Sequence, residues 1–263
     1  MGTIRRQLGD ATIAVLAKVV RQPRVARRLF LEVVNDAGNT PPHECDDSFD
    51  FLVFCRAHRP RANGQLLQDL WVLYETDLKH GGYFVEFGAV DGIAHSNTLL
   101  LEREFGWTGI LAEPNQDMHA ALLANRAAKI DMRCVTSTSG ETVQLLVTDD
   151  PEFSTIDDRA SEDTHSGVRR ESSRRLSVET VSLSDLLDRH EAPTIIDYLS
   201  VDTEGTELQL LTGFDWSRRD IRLVSVEHNR RADEEILDQL MLSNGYERRF
   251  ANFSSFDAWY RRR

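Results

Sequence analysis

Apolar positions change their period at about Gln65. Before that point they recur at helical spacing: Leu8, Ala11, Val15 and Val19 make one stripe, broken by Pro23. Val25, Ala26, Leu29, Phe30, Val33 and Val34 make a second, closed by Ala37-Gly38-Asn39. These stripes predict a helical extension over residues 1–63. From Gln65 onward short β-rich runs alternate with amphipathic ones. LLQDLWVLYETDL predicts a helix and YFVEFGA a strand, and SNTLLLEREF predicts a helix opened by a Ser/Asn cap. TGILAEPN, KIDMRCVTS and ETVQLLVTDD predict strands, with the helix DMHAALLANR between the first two. After LSVETVSL come the helix SDLLDRH, the strand TIIDYLSVD, the helix TELQLLTGF and the strand IRLVSVEHN. EEILDQLMLSNG, YERRFANF and FDAWYRR close the chain.

Strands alternating with helices predict an α/β fold over residues 64–263, with a mostly parallel sheet covered on both faces. The last two strands are too close in sequence for a crossover helix and are expected to pair antiparallel. The polar stretch 157–175, DDRASEDTHSGVRRESSRR, has mixed charge and two readings. It is either a solvated or disordered loop or a flap over the site.

Composition narrows the function. A formal net charge of -12 argues against a general nucleic-acid binder. The basic residues Arg5, Arg6, Lys18, Arg21, Arg24, Arg27 and Arg28 sit on the N-terminal helical stripes. Such helices can lie on an anionic membrane. The plainer reading is a helical cap on the main domain or on a second copy of the chain in a homo-oligomer. No apolar run reaches the ~20 residues needed to cross a bilayer, and the nearest thing to a signal-peptide core, residues 11–20, is interrupted by Lys18. Cys45, Cys55 and Cys134 are an odd set with no framework spacing, as in a reduced, cytoplasmic protein. With His43 and His58 they match no zinc-knuckle spacing.

In open α/β sheets ligands bind beyond the carboxyl ends of the strands, so the residues finishing each strand carry the chemistry. The first strand finishes in Glu86-Phe87-Gly88-Ala89-Val90-Asp91-Gly92. A dinucleotide fingerprint needs G-x-G-x-x-G. Here two glycines are bracketed by two carboxylates, which would repel a pyrophosphate. They suit a ligand that is cationic or offers hydroxyls and amines, and S-adenosylmethionine brings a sulfonium, an amino group and a ribose diol. Gly88 lets backbone approach closely. The second strand finishes in Glu113-Pro114-Asn115, an acid placed to accept both ribose hydroxyls, a feature a nicotinamide enzyme would share. Later strands finish in Asp202-Thr203-Glu204-Gly205 and Glu227-His228-Asn229. With strand order 3-2-1-4-5-7-6 these tips gather Asp202, Glu204, Glu227 and His228 near the transferable methyl group. For any single acid, helix capping or pairing with arginine is an equal alternative.

Two blocks, GQLLQDLWVLYE…GGYFVEFGAVDGIAHSNTLLLEREFGWTGILAEPN and IIDYLSVDTEGTELQLLTGFDW, resemble the FkbM-type S-adenosylmethionine-dependent methyltransferases from about Gly64 to the C-terminus. The resemblance implies a class I methyltransferase (Rossmann-like) fold, with a seven-stranded, mostly parallel sheet whose last strand is antiparallel. It implies O-methylation of a hydroxyl on a sugar, glycan, polyketide or other natural product, with S-adenosylmethionine as cofactor. It carries Glu86, Gly88, Asp91, Asn97 and Glu113 into the cofactor site, together with Ala89, Gly92 and Pro114 of the same turns, and sets Asp202 beside it. Val90 departs from the family pattern, which most often has a polar residue, commonly Asn, before Asp-Gly.

Methyl transfer to a weakly nucleophilic hydroxyl needs its proton removed as the bond forms. His228, or one of Asp202 and Glu204, could act as general base. Alternatively Asp202 with Glu227 or Glu204 could hold Mg²⁺ or Mn²⁺ against the acceptor while His228 takes the proton. The competing readings are a catalytically silent module that binds cofactor or a partner, and a nicotinamide-dependent oxidoreductase, which would lack its third fingerprint glycine.

Overall fold

A parallel sheet buried on both faces needs strands that are apolar on both sides, and the strand beginning at Tyr83 shows how this chain supplies them. Phe84 packs with Trp71, Leu101, Leu111, Tyr198 and Trp259 on one face. Val85 and Phe87 pack with Ile110, Leu199, Val201 and Val224 on the other. The computed structural model describes residues 47–148, 155–156, 173–203, 205–228 and 234–263. The helical stripes over 1–46, with His43 and Cys45, lie outside the described residues, as do Glu204, Asn229 and most of the polar 157–175 stretch.

Helices α1 (Ser48–His58) and α2 (Gln68–Glu75) precede strand β1 (Tyr83–Phe87). Then follow α3 (Leu99–Phe105), β2 (Thr108–Ala112), α4 (His119–Asn125) and β3 (Lys129–Asp131). Strands β4 (Cys134–Thr136), β5 (Thr142–Thr148), β6 (Thr155–Ile156) and β7 (Ser173–Ser182) come next. The chain continues with α5 (Leu183–Arg189), β8 (Ile195–Val201), α6 (Glu207–Thr212) and β9 (Asp220–Glu227). It closes with α7 (Glu234–Ser243), β10 (Tyr246–Arg249) and β11 (Asp257–Arg262).

Among the described residues the main sheet has seven strands in the order β10-β11-β9-β8-β1-β2-β3. The run from β9 to β3 is parallel. Strand β11 enters antiparallel between β9 and β10. Numbered along the chain within this sheet, the order is 3-2-1-4-5-7-6, with the last strand antiparallel as expected. One face is covered by α5, α6 and α7 through Leu186, Leu187, Leu210, Leu211, Leu237 and Met241. The other is covered by α1 to α4 through Phe51, Trp71, Leu100, Leu101 and Leu122. Trp71 and Trp259 stack there at 5.2 Å. Residues 50–263 form one compact unit, and within it Phe51 of α1 stacks on Phe250 at 4.4 Å. No helix among the described residues is long and apolar enough to cross a membrane.

The sequence pattern does not show a second sheet, which among the described residues has four strands in the order β4-β7-β5-β6. It forms because the expected third strand breaks in two. The Asp131 carboxylate folds back to accept the Arg133 backbone N–H at 3.1 Å and its guanidinium at 2.6 Å, which turns the chain out of the main sheet. Strand β4 then pairs parallel with β7, and β5 pairs antiparallel with β7 over Thr142↔Glu179 to Thr148↔Ser173.

Candidate functional site

The loop after β1 is built around a buried charge cluster. Glu86 is expected from sequence as a cofactor contact, but its carboxylate turns into the protein. One oxygen accepts the Asn97 N–H at 2.6 Å, and the other accepts the hydroxyls of Ser96 and Thr98 at 2.9 and 2.5 Å. Arg126, fully buried, lies 3.7 Å from the same carboxylate and 3.1 Å from that of Glu102. Its guanidinium also donates to Gly92 O, Ser96 Oγ and Thr98 Oγ1, and rests over the Phe84 ring. Glu86 therefore organises residues 88–98 with hydrogen bonds that leave little acceptor capacity for a ligand.

The two glycines have structural reasons as well. Gly88 has φ +72°, and a Cβ there would lie 2.6 Å from the carbonyl oxygen of Asp202. The close approach that needs glycine is thus between the tips of β1 and β8. A Cβ on Gly92, at φ +80°, would meet the Arg126 side chain at 2.6 Å. Asp91 caps its own turn, with Oδ1 accepting the N–H groups of Ile93 and Ala94, both at 2.8 Å. Ala89 is buried and donates its N–H to Ala112 O. Val90 has φ 47°, the left-handed region, where a β-branched side chain is strained and Asn is tolerated. Val90→Asn is expected to stabilise the protein by about 1 kcal/mol, read as a higher urea midpoint; an unchanged midpoint would mean the valine packing offsets the strain.

The next strand tip holds Glu113. Its carboxylate bridges the two loops, accepting the Val90 N–H at 2.8 Å and the Asn115 N–H at 2.7 Å. Its own N–H donates to Asp131 O at 3.0 Å, and its carbonyl faces His119 Nε2 at 2.8 Å. Burial pushes its pKa up to about 7. Each oxygen makes one hydrogen bond to backbone and keeps a second lone pair. Pro114, half-buried, separates Glu113 from Asn115.

A polar cleft, open to solvent, lies at the tips of β8 and β9. Asn97, Ser200 and Asp202 line one side, and Ser225, Glu227 and Asp257 the other. Carboxylate oxygens of Asp202, Glu207 and Glu227 all lie within 4.8 Å of one another. Burial, and then the Glu227 carboxylate, holds Asp202 well above the usual carboxylate range. Glu207 is committed to its own loop, accepting the N–H groups of Thr203 and Gly205 at 3.0 and 2.9 Å. Asp257 accepts the Gln68 amide at 2.7 Å, and burial raises its pKa to about 6. The Asn97 amide N–H donates to Ser200 Oγ at 3.0 Å, which leaves its Oδ1 buried without a partner. The side chains of this cleft thus offer mostly acceptors, and the amides of Gln68 and Asn97 each already give one N–H to a neighbour in it. That balance suits a ligand carrying positive charge and donors.

The cleft therefore brings together Asn97, Asp202 and Glu227 of the expected site and adds Gln68, Ser200, Ser225 and Asp257. It does not include His228. That imidazole is buried with its ring 3.7 Å from Glu234, and burial lowers its pKa. The histidine that does line the cleft is His95, on the loop after β1. Asp257 escapes a search of strand ends because it begins its strand. Antiparallel β11 puts its first residue beside Glu227, its register partner on β9.

A family profile described as the methyltransferase FkbM domain matches residues 86–248, more than half of the chain. No curated protein matches the sequence. Among solved structures, a Pyrococcus horikoshii protein provisionally named an RNA methyltransferase has 11% identity and a TM-score of 0.35, over 70% of this chain and 66% of that one. The precorrin-6y C5,15-methyltransferase of Geobacter metallireducens has 9% identity and a TM-score of 0.37, over 68% and 71%. The fibrillarin/Nop5p complex gives 10% identity and a TM-score of 0.36, over 76% and 81%. These likenesses are distant, and the chain belongs to the FkbM methyltransferase family on the match of its profile to more than half of the sequence.

Proposed function

We propose that this chain is an S-adenosylmethionine-dependent O-methyltransferase acting on a hydroxyl of a sugar, glycan or polyketide-like natural product. One juxtaposition carries the reading. The tip of β1 touches both the Glu113 carboxylate, through the Val90 N–H, and the tip of β8 at Asp202, through Gly88. A diol acceptor and a cleft rich in carboxylates are thereby held against the same turn. The residues fit the cofactor: Glu113 retains lone pairs for two ribose hydroxyls, and the acceptor-rich cleft, with the buried Asn97 Oδ1, suits its ammonium and sulfonium charge. When bound, S-adenosylmethionine supplies an electrophilic methyl group on sulfur. The protein holds the acceptor hydroxyl in line with it. With the cofactor bound, the Asp202/Glu227 pair would take the proton of the acceptor hydroxyl.

A second reading follows from the spacing of Asp202, Glu207 and Glu227, whose oxygens would hold a hard dication such as Mg²⁺ or Mn²⁺ and lower the pKa of the acceptor hydroxyl. The binding of Glu207 to its own loop favours the metal-free version. The test is transfer of labelled methyl to a panel of glycosides and macrolactones, with and without a chelator. Asp202→Asn is expected to lower turnover about 100-fold or more while S-adenosylhomocysteine affinity changes far less. Turnover at the wild-type rate would remove Asp202 from the mechanism, and loss of activity on chelation would favour the metal.

A further inference from the structure

Asn115 takes no part in the reading above, yet its amide is in an unusual position. The residue is 1% exposed. Its Oδ1 accepts the Asp117 N–H at 3.1 Å, which fixes which end of the amide is oxygen. The Nδ2 group is then buried with no hydrogen-bond partner. Buried polar groups are almost always paired, and a donor left without an acceptor bears the full cost of its desolvation. Serine or aspartate would cap the Asp117 N–H without the orphaned donor, so that donor is explained most simply by an acceptor that arrives with a ligand. The neighbourhood indicates which ligand. The Asn115 main-chain N–H is bonded to Glu113 Oε1, so the amide belongs to the same turn as the carboxylate proposed to take the ribose diol. Glu113 accepts and Asn115 donates. Together they form the complementary pair that a nucleoside requires, since its hydroxyls donate while its sugar oxygens and ring nitrogens accept.

We infer that Asn115 is a further cofactor-positioning residue, whose Nδ2 donates to an acceptor atom of the bound adenosine, either the ribose ring oxygen or an adenine ring nitrogen. This rests on the reading that Glu113 binds the nucleoside. Asn115→Asp keeps the oxygen that caps Asp117 and removes the donor. Asn115→Leu removes both. By titration calorimetry with S-adenosylhomocysteine, at a temperature where circular dichroism shows the variants folded, each is expected to bind roughly tenfold more weakly than wild type. Deaza analogues at each adenine ring nitrogen and a carbocyclic analogue lacking the ribose ring oxygen, all keeping the diol assigned to Glu113, separate the acceptors: the analogue lacking the partner atom should lose affinity for wild type and lose none further for Asn115→Asp. Wild-type affinity in both variants would overturn the role of Asn115 while leaving the Glu113 reading intact. Absence of S-adenosylhomocysteine binding to wild type would instead overturn that reading itself. If a variant fails to fold, the analogue series on wild type decides alone, since full affinity for all analogues would contradict the inference.

Discussion

Arg126→Ala is expected to destabilise the protein by about 3–5 kcal/mol, the usual consequence of removing one member of a buried ionic network. The guanidinium is wholly buried and stands between Glu86 and Glu102. Its removal leaves two carboxylates without their cation and takes one hydrogen bond each from Gly92 O, Ser96 Oγ and Thr98 Oγ1. For a domain of this size the melting temperature should fall by roughly 10 °C. Arg126→Lys restores charge without the planar fork and should recover only part of the loss. A melting temperature for Arg126→Ala within a degree or two of wild type would show that the loop after β1 is held by other means. The effect reaches function through geometry, because the same cluster fixes Asn97 and the turn that carries Val90 to Glu113.

Glu113→Gln is the second large effect, expected to weaken S-adenosylhomocysteine binding on the order of 100-fold. The carboxylate accepts backbone N–H groups on both oxygens and would accept two ribose hydroxyls besides. A glutamine must turn its NH₂ toward one of those backbone donors, so it loses an acceptor and gains a repulsion. The pH dependence follows from the same group. With its pKa raised to about 7 by burial, Glu113 is protonated below that value in the free protein. It must give up the proton to accept both hydroxyls. Wild-type affinity is therefore expected to rise with pH up to about 7 and level off above it, falling close to tenfold per unit on the acid side. Glu113→Gln should flatten that profile. A wild-type profile flat between pH 5.5 and 8 would contradict the assignment.

The architecture was largely legible in the sequence, because strand and helix periods are local and the two blocks of family resemblance span the sheet. The order 3-2-1-4-5-7-6 and the antiparallel last strand both follow. The four-stranded second sheet did not, because it depends on Asp131 folding back onto Arg133 and splitting what reads as one strand. For the site, residue types at the strand tips were readable but the direction of their side chains was not. Glu86 and Asp91 read as acids facing a ligand, yet one binds Ser96, Asn97 and Thr98 and the other caps its own turn. His228 reads as a strand-tip base and is buried beside Glu234, while His95 on a loop lines the cleft. Asp257 is visible only once β11 is known to run backwards. Asn115 stands in the quoted strand end, but only the three-dimensional structure shows that its donor has no partner.

The central claim is that the turn GGYFVEFGAVDG and the strand tips around it receive S-adenosylmethionine rather than a dinucleotide. Titration calorimetry of the full chain with S-adenosylhomocysteine and, separately, with NAD tests it most directly. Saturable one-to-one binding of S-adenosylhomocysteine with no heat from NAD is the expected result, and binding of NAD without S-adenosylhomocysteine would contradict it.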